Sequence, residues 1–139
     1  MVDRAFADPA IQRYLSGKDV VILAMLGSSG GPLATPMWFV HDDQQLAMVS
    51  VDGLTKIRNL ERDPRVSVVA EGGERGAING VVLAGEVRFL DGVERLEWGG
   101  RFRDKYTPDI DRLWGGPDIP DNRRVFAFNP RVVSAFGIS

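Results

Sequence analysis

The sequence contains no cysteine, which removes disulfides and thiolate-held metal centres from consideration and fits a reducing, cytoplasmic setting. It contains one histidine, His41, with no second histidine or cysteine near it in sequence to build a metal site. Beside the acids Asp42 and Asp43, that histidine reads as structural or solvent-facing. A run of about 18 apolar residues is missing, so no membrane span is expected. The first fourteen residues mix Asp3, Arg4, Asp8 and Arg13 with apolar side chains and lack the apolar core of a signal peptide. A net charge of −2 supplies no global field to attract nucleic acid. Familiar catalytic sets are missing as well. There is no GxSxG elbow, Gly27 to Gly31 has no P-loop lysine and opens no helix, and the acids are too dispersed to suggest a hydrolase pair. Lysine is scarce: Lys18, Lys56 and Lys105 stand against fourteen arginines, so a lysine at a special position stands out.

What is present describes a soluble β-rich chain. With 139 residues, 44% hydrophobic and 26% charged, it is expected to form a single domain over 1–139. A domain of this size buries roughly two-thirds of its unfolded surface. Asp8-Pro9 reads as an N-cap with proline in the first turn, Ile11, Tyr14 and Leu15 as a helical apolar face, and Gly17 as the stop. Strands are expected over Val20 to Leu26, Pro32 to His41 and Gln45 to Val51, with turns at Gly27 to Gly31 and Asp42-Asp43. A helix over Leu54 to Arg62 carries Ile57 and Leu60 inward and stops at Asp63-Pro64. Strands follow over Arg65 to Glu71 and Ile78 to Leu90, with a loop over Gly72 to Gly76 and with Gly80 and Gly85 as bulges or close contacts. A helix from Asp91-Gly92 to about Tyr106 places Trp98, Phe102 and Tyr106 on one face, although Gly99-Gly100 weakens it by roughly 1 kcal/mol per glycine. Thr107 to Asn122 reads as a loop carrying Trp114, and Arg123 to Phe128 and Val132 to Ile138 as two last strands joined at Asn129-Pro130. Tight turns imply antiparallel pairing, and six to seven strands with few helices imply a closed or nearly closed barrel.

Two stretches have residue types suited to a ligand. Ser50-Val51-Asp52-Gly53-Leu54-Thr55-Lys56-Ile57-Arg58-Asn59 ends a strand, turns at a glycine and starts a helix. A helix start offers unpaired N–H groups and a partial positive charge, and Lys56 and Asn59 are three residues apart on one face, as a phosphate clamp requires. Spacing alone fits a solvated helix face with Asp52 as the N-cap equally well. In Ala34-Thr35-Pro36-Met37-Trp38-Phe39, Pro36 and Trp38 share one strand face. That surface suits a flat aromatic ring, and it also suits barrel core.

These stretches, in the order GGPLATPMWF, LAMVSV, TKIRNLERDPRVSVV, VVLAGEVRFL and RRVFAFNPRVVSAFG, resemble the pyridoxamine 5'-phosphate oxidase-like superfamily over nearly the whole chain. The resemblance implies a mainly β fold, the FMN-binding type of split antiparallel β-barrel, and a homodimer with cofactor sites at the interface. It implies that Lys56 and Asn59 bind the cofactor phosphate, with Thr55 beside them. Pro36, Met37 and Trp38 would line the tricyclic ring, Ser50 and Val51 the ribityl chain. The partner subunit would close the site from its long strand or from the Trp114 loop. The short length and the PMWF strand look most like the actinobacterial branch that uses the deazaflavin F420. That implies an oxidoreductase passing a hydride to or from a small organic molecule. FMN is the alternative cofactor, and a non-catalytic flavin or deazaflavin carrier the alternative role. The chain lacks the arginine-rich C-terminal segment of true pyridoxamine 5'-phosphate oxidases, and haem would have only His41 as a histidine ligand.

Overall fold

The computed structural model describes residues 2–138. In chain order the elements are β1 (Val2–Asp3), α1 (Pro9–Ser16), β2 (Val21–Leu26), β3 (Pro32–Met37), β4 (Val40–His41), β5 (Leu46–Val51), α2 (Thr55–Arg62), β6 (Arg65–Glu74), β7 (Ala77–Leu90), α3 (Gly92–Tyr106), α4 (Asp109–Trp114) and β8 (Arg123–Phe136). Local chemistry sets many of these boundaries. Asp8 Oδ1 accepts from the Ala10 N–H at 2.8 Å, Pro9 opens α1, and Gly17 caps its C-terminus. The chain enters β4 and leaves by β5 around Asp42, whose Oδ1 accepts from the N–H groups of Gln44 and Gln45 at 2.8 Å each.

All strand pairs are antiparallel, in the order β3-β2-β6-β7-β8-β5-β4, with β1 added along β8. This is a mainly β split barrel, as expected. The two sides of its strands face two different cores. Along β5, Leu46 and Met48 join the core that also takes Ile11 and Leu15 of α1 and Ile57 and Leu60 of α2. Ala47 and Val49 join a second core with Trp98, Phe102 and Tyr106 of α3. In β8, Phe126 and Phe128 face the first core and Val125 and Ala127 the second. A period of two thus lets α3 cover the outside of the same strands whose inside fills the barrel.

The structure differs from the sequence reading at four places. Gly72 to Gly76 is not an open loop: β6 runs to Glu74, pairs with Ala77, and turns through Arg75 and Gly76. The expected strand from Pro32 to His41 breaks at Trp38-Phe39 into β3 and β4. Thr107 to Asn122 contains a helix, α4, which ends in Trp114. The last two strands are one continuous β8. Asn129-Pro130 does not end it, because a bulge pairs Pro130 with Gly85 and Val132 with Ala84, leaving Arg131 as the extra residue. A side chain at Gly85 would place its Cβ 2.0 Å from the Asn129 carbonyl oxygen, so glycine permits this close approach. Gly80, by contrast, makes room for the Phe136 ring, which a Cβ there would meet at 2.7 Å.

The break at Trp38-Phe39 has a structural role. β3 and β4 are the two ends of the sheet path, and they are joined by these two residues. The barrel is therefore closed by covalent chain at this seam rather than by a ladder. Phe39 is fully buried, and its peptide groups need other partners. Tyr106 at the end of α3 supplies them: its hydroxyl accepts from the Phe39 N–H at 2.8 Å. The hydroxyl in turn lies 2.8 Å from the carbonyls of both Phe39 and Asp19, which share its one proton as acceptors. Lys105 Nζ donates to the carbonyls of Phe39 at 3.0 Å and Lys18 at 2.7 Å.

Two expectations follow from the seam. Tyr106→Phe keeps the ring but orphans a buried N–H, and should cost about 1–3 kcal/mol of unfolding free energy in urea titration. A loss below about 0.3 kcal/mol would show that the hydroxyl does not hold the seam. The second concerns pH. Burial, opposed by the charge of Asp19, lowers Lys105 from 10.5 to about 8, while burial raises Tyr106 to about 12. Between pH 8 and 10 the unfolded chain keeps the Lys105 proton that the folded chain gives up, so this group makes stability rise with pH. Above pH 10 the Tyr106 shift acts in the opposite direction, because the unfolded phenol ionises first. Urea midpoints at pH 7.5 and 9.5 should show the rise in the wild type relative to Lys105→Met; equal pH slopes in the two proteins would refute it.

Candidate cofactor cleft

One cleft, of about 280 Å³, gathers most of the residues singled out from sequence. Pro36, Met37 and Trp38 come from the end of β3 and the seam, Ser50 and Val51 from the end of β5, and Lys56 from the first turn of α2. Thr55 and Asn59 are not part of this lining. Thr55 is exposed, and its Oγ1 accepts from Arg58 Nη2 at 3.3 Å. Asn59 is 3% exposed, with its carboxamide oxygen taking Arg62 Nη2 at 2.7 Å. Lys56 and Asn59 therefore share a helix but have different partners: the lysine turns to the cleft, the asparagine inward to Arg62.

The start of α2 is open. Leu54, not Asp52, occupies the N-cap position and makes no side-chain cap. Asp52 instead accepts from the Gly53 N–H at 2.9 Å and lies 3.3 Å from Arg124 Nη1. The arginine partner compensates the carboxylate charge near the helix start, and the first-turn N–H groups are left uncapped by any side chain. Lys56 Nζ faces Met37 Sδ at 3.6 Å, a weak acceptor that leaves the ammonium short of partners.

The other end of the cleft is apolar and aromatic. Trp38 stacks on Tyr106 with ring centroids 4.3 Å apart and planes 2° from parallel, so the staple at the seam also fixes the indole plane. Ile110, Leu113 and Trp114 of α4, together with Val49 and Arg123, complete the lining. Sequence reasoning named Trp114 only as part of a partner loop and missed Ile110, Leu113, Val49 and Arg123. The signal for α4 was there: 110, 113 and 114 have the i, i+3, i+4 spacing of a helix face, hidden among the prolines and glycines around them. Trp114 was expected on a loop, one of two segments, with the long strand, from which the partner subunit would close the site, and the loop is corrected here. Trp114 sits on a helix and lines the cleft of its own chain.

This lining fits a phosphate-bearing planar molecule: a cationic side chain from the first turn of α2 at one end, aromatic and aliphatic surface at the other. The volume of about 280 Å³ falls just below the roughly 300–1,000 Å³ of ordinary ligand pockets, room for part of a cofactor. His41 lies outside this cleft. Gln12 Nε2 donates to the Phe6 carbonyl at 2.9 Å, which orients its Oε1 as the acceptor for His41 Nδ1 at 3.0 Å. Nε2 then accepts from Ser16 Oγ at 3.2 Å. Both ring nitrogens are engaged, and burial holds the imidazole below its ordinary pKa.

Comparison with solved structures agrees with this architecture. A conserved hypothetical protein from Mycobacterium tuberculosis superposes with a TM-score of 0.80 at 24% identity, over 98% of this chain and 89% of that one. The haem storage protein HutZ of Vibrio cholerae gives 0.76 at 17% identity, over 94% and 93%. An FAD-binding protein from Mesorhizobium loti gives 0.66 at 23% identity, over 89% and 87%. At these identities the likeness is one of fold. A search of curated proteins finds no match. The profile described as pyridoxamine 5'-phosphate oxidase matches residues 7–137, a span that takes in both strands of the cleft, the start of α2 and all of α4, and the chain belongs to that family.

Proposed function

We propose that this protein is an oxidoreductase that binds the deazaflavin F420 in the cleft between β3, β5, α2 and α4. The observation that carries the reading is the convergence of Lys56, from the first turn of α2, on one cleft with Trp38 and Trp114. When bound and reduced, such a cofactor supplies a hydride to an electron-poor organic acceptor. The chain's own residues bind and orient. Lys56 neutralises phosphate charge, and Ser50 and Val51 present the end of β5. Trp38, locked against Tyr106, offers a fixed plane. Ile110 and Trp114 exclude water from that end, with Leu113 on its rim. The cleft's cations, Lys56 and Arg123, serve charge recognition. The chemistry of transfer belongs to the cofactor, which accounts for the lack of a visible catalytic set.

The FAD-binding neighbour from Mesorhizobium loti favours FMN as the second reading of the same cleft. A carrier role is favoured by the haem storage neighbour and by the small number of proton-transferring groups in the lining. The cleft is shallow for a whole cofactor, and Leu113 on its rim is 60% exposed. A second copy of the chain closing over that rim makes the protein a homodimer with its sites at the interface.

Titration with F420 and with FMN, followed by tryptophan fluorescence, tests the cofactor. F420 should bind more tightly. Lys56→Ala should weaken it by roughly 10–100-fold, the worth of one charge-assisted hydrogen bond of about 1.5–3 kcal/mol. Tighter FMN binding moves the protein to the flavin reading, and an unchanged affinity in Lys56→Ala removes the phosphate clamp. Light scattering tests assembly: a dimer at micromolar concentration is expected, and a stable monomer of the 15.3 kDa chain would defeat the interface site.

A further inference from the structure

A second cleft, of about 390 Å³, shares no lining residue with the first. It is lined by Ser16 from α1, Val40 and His41 from β4, and Arg101, Asp104 and Lys105 from α3. Its size lies within the range of small-molecule sites, roughly 300–1,000 Å³. Two cations meet here without a salt bridge: among the described residues neither Arg101 nor Lys105 pairs directly with a carboxylate, and Asp19 acts on Lys105 only through its charge. Arg101 is held by packing instead, with its guanidinium carbon 4.4 Å above the Trp98 ring. A guanidinium stacked by its face leaves its N–H edges for other partners. Lys105 Nζ spends two of its three donors on the carbonyls of Lys18 and Phe39 and lies 3.8 Å from the Phe39 ring centroid; its third donor has no hydrogen-bond acceptor among the described residues. The neutral His41 and the Ser16 hydroxyl form the opposite wall. Asp104 is the one acidic residue of the lining, so the site carries a formal excess of one positive charge.

We propose that this cleft binds a small molecule through its oxyanion group, a carboxylate or a phosphate, held between Arg101 and the free donor of Lys105. The reading is independent of the cofactor cleft. Unpaired cations fixed by stacking and by backbone bonds are preorganised for an anion, because the ordering cost is met by the fold. Lys105 also links the site to the seam: the ammonium that faces the ligand is the one that holds the Phe39 carbonyl, beside the Trp38-Tyr106 stack.

His41 is the one histidine of the chain, so its ring proton signals report on this cleft without ambiguity. Inorganic phosphate and acetate are titrated separately into the full-length protein at constant pH and ionic strength, and the His41 signals are followed by NMR. At least one anion should move them saturably in the millimolar range. Arg101→Gln, at a half-buried position of α3, should weaken that binding by roughly tenfold or more. Asp104→Asn should tighten it by removing the like charge. Saturation by phosphate alone identifies a phosphoryl ligand, and by acetate alone a carboxylate. A linear drift, equal for both salts and unchanged in Arg101→Gln, overturns the proposal, as does weaker binding in Asp104→Asn.

Discussion

The peptide groups of Phe39 are the constraint on which the rest of this structure depends. An antiparallel barrel normally satisfies its backbone by closing a ladder on itself, and here the two ends of the sheet path meet as consecutive strands. Along this path β3 and β4 run in the same direction, so the two residues between them carry the chain from the β2 edge to the β5 edge and pair with neither strand. The N–H and C=O of a fully buried residue are left over, each worth about 1–3 kcal/mol if orphaned. Helix α3 answers this with the last two residues before it ends, Lys105 and Tyr106. The helix is thereby fixed to one place on the barrel, and its apolar face of Trp98, Phe102 and Tyr106 covers the outer sides of β5 and β8.

The clefts follow from that fixture. Trp38 precedes Phe39 at the seam, so the side chain that lies along Tyr106 also faces the space between β3 and β5. α4 follows directly after α3 and lays Ile110, Leu113 and Trp114 over the same space. Val40 and His41, on the other side of Phe39, face the opposite cleft together with Arg101 and Lys105. One buried peptide unit therefore separates two surfaces of different character. The first is aromatic with a single lysine at its helix end, the second lined by two cations, one acid and a neutral histidine.

Much of this was legible from sequence where the determining forces are local. Asp8, Pro9 and Gly17 delimit α1 by capping chemistry. Asp63-Pro64 stops α2, and the four-residue spacing of Trp98, Phe102 and Tyr106 marks the buried face of α3. The gathering of Pro36, Met37, Trp38, Ser50, Val51 and Lys56 in one cleft agrees with the grouping that the family resemblance implied. What was not legible depends on distant partners. Pro130 looked like a strand end because proline cannot donate to a ladder, yet Gly85, forty-five residues earlier, admits the bulge that lets β8 continue. The break at Trp38-Phe39 needs Tyr106 as its partner, 67 residues away. Asn59 shows the reverse case. Its helical spacing from Lys56 was right, but spacing does not say which side chain the core takes, and Arg62 one turn on captures its oxygen.

The scarcity of lysine is informative at the seam. The position of Lys105 demands a cation that donates along separate directions to the carbonyls of Lys18 and Phe39 while resting 3.8 Å from the Phe39 ring centroid. A tetrahedral ammonium on a flexible stem does this, whereas the planar fork of a guanidinium directs its donors in one plane and suits bidentate acceptors. An arginine there also stays charged at any accessible pH, whereas the buried ammonium, lowered to about 8, sheds its charge when conditions become mildly alkaline and retains two donors for the same two carbonyls. In a chain that uses arginine for nearly every other positive charge, the lysine at 105 is explained by geometry and by desolvation, both set by the point where the barrel closes.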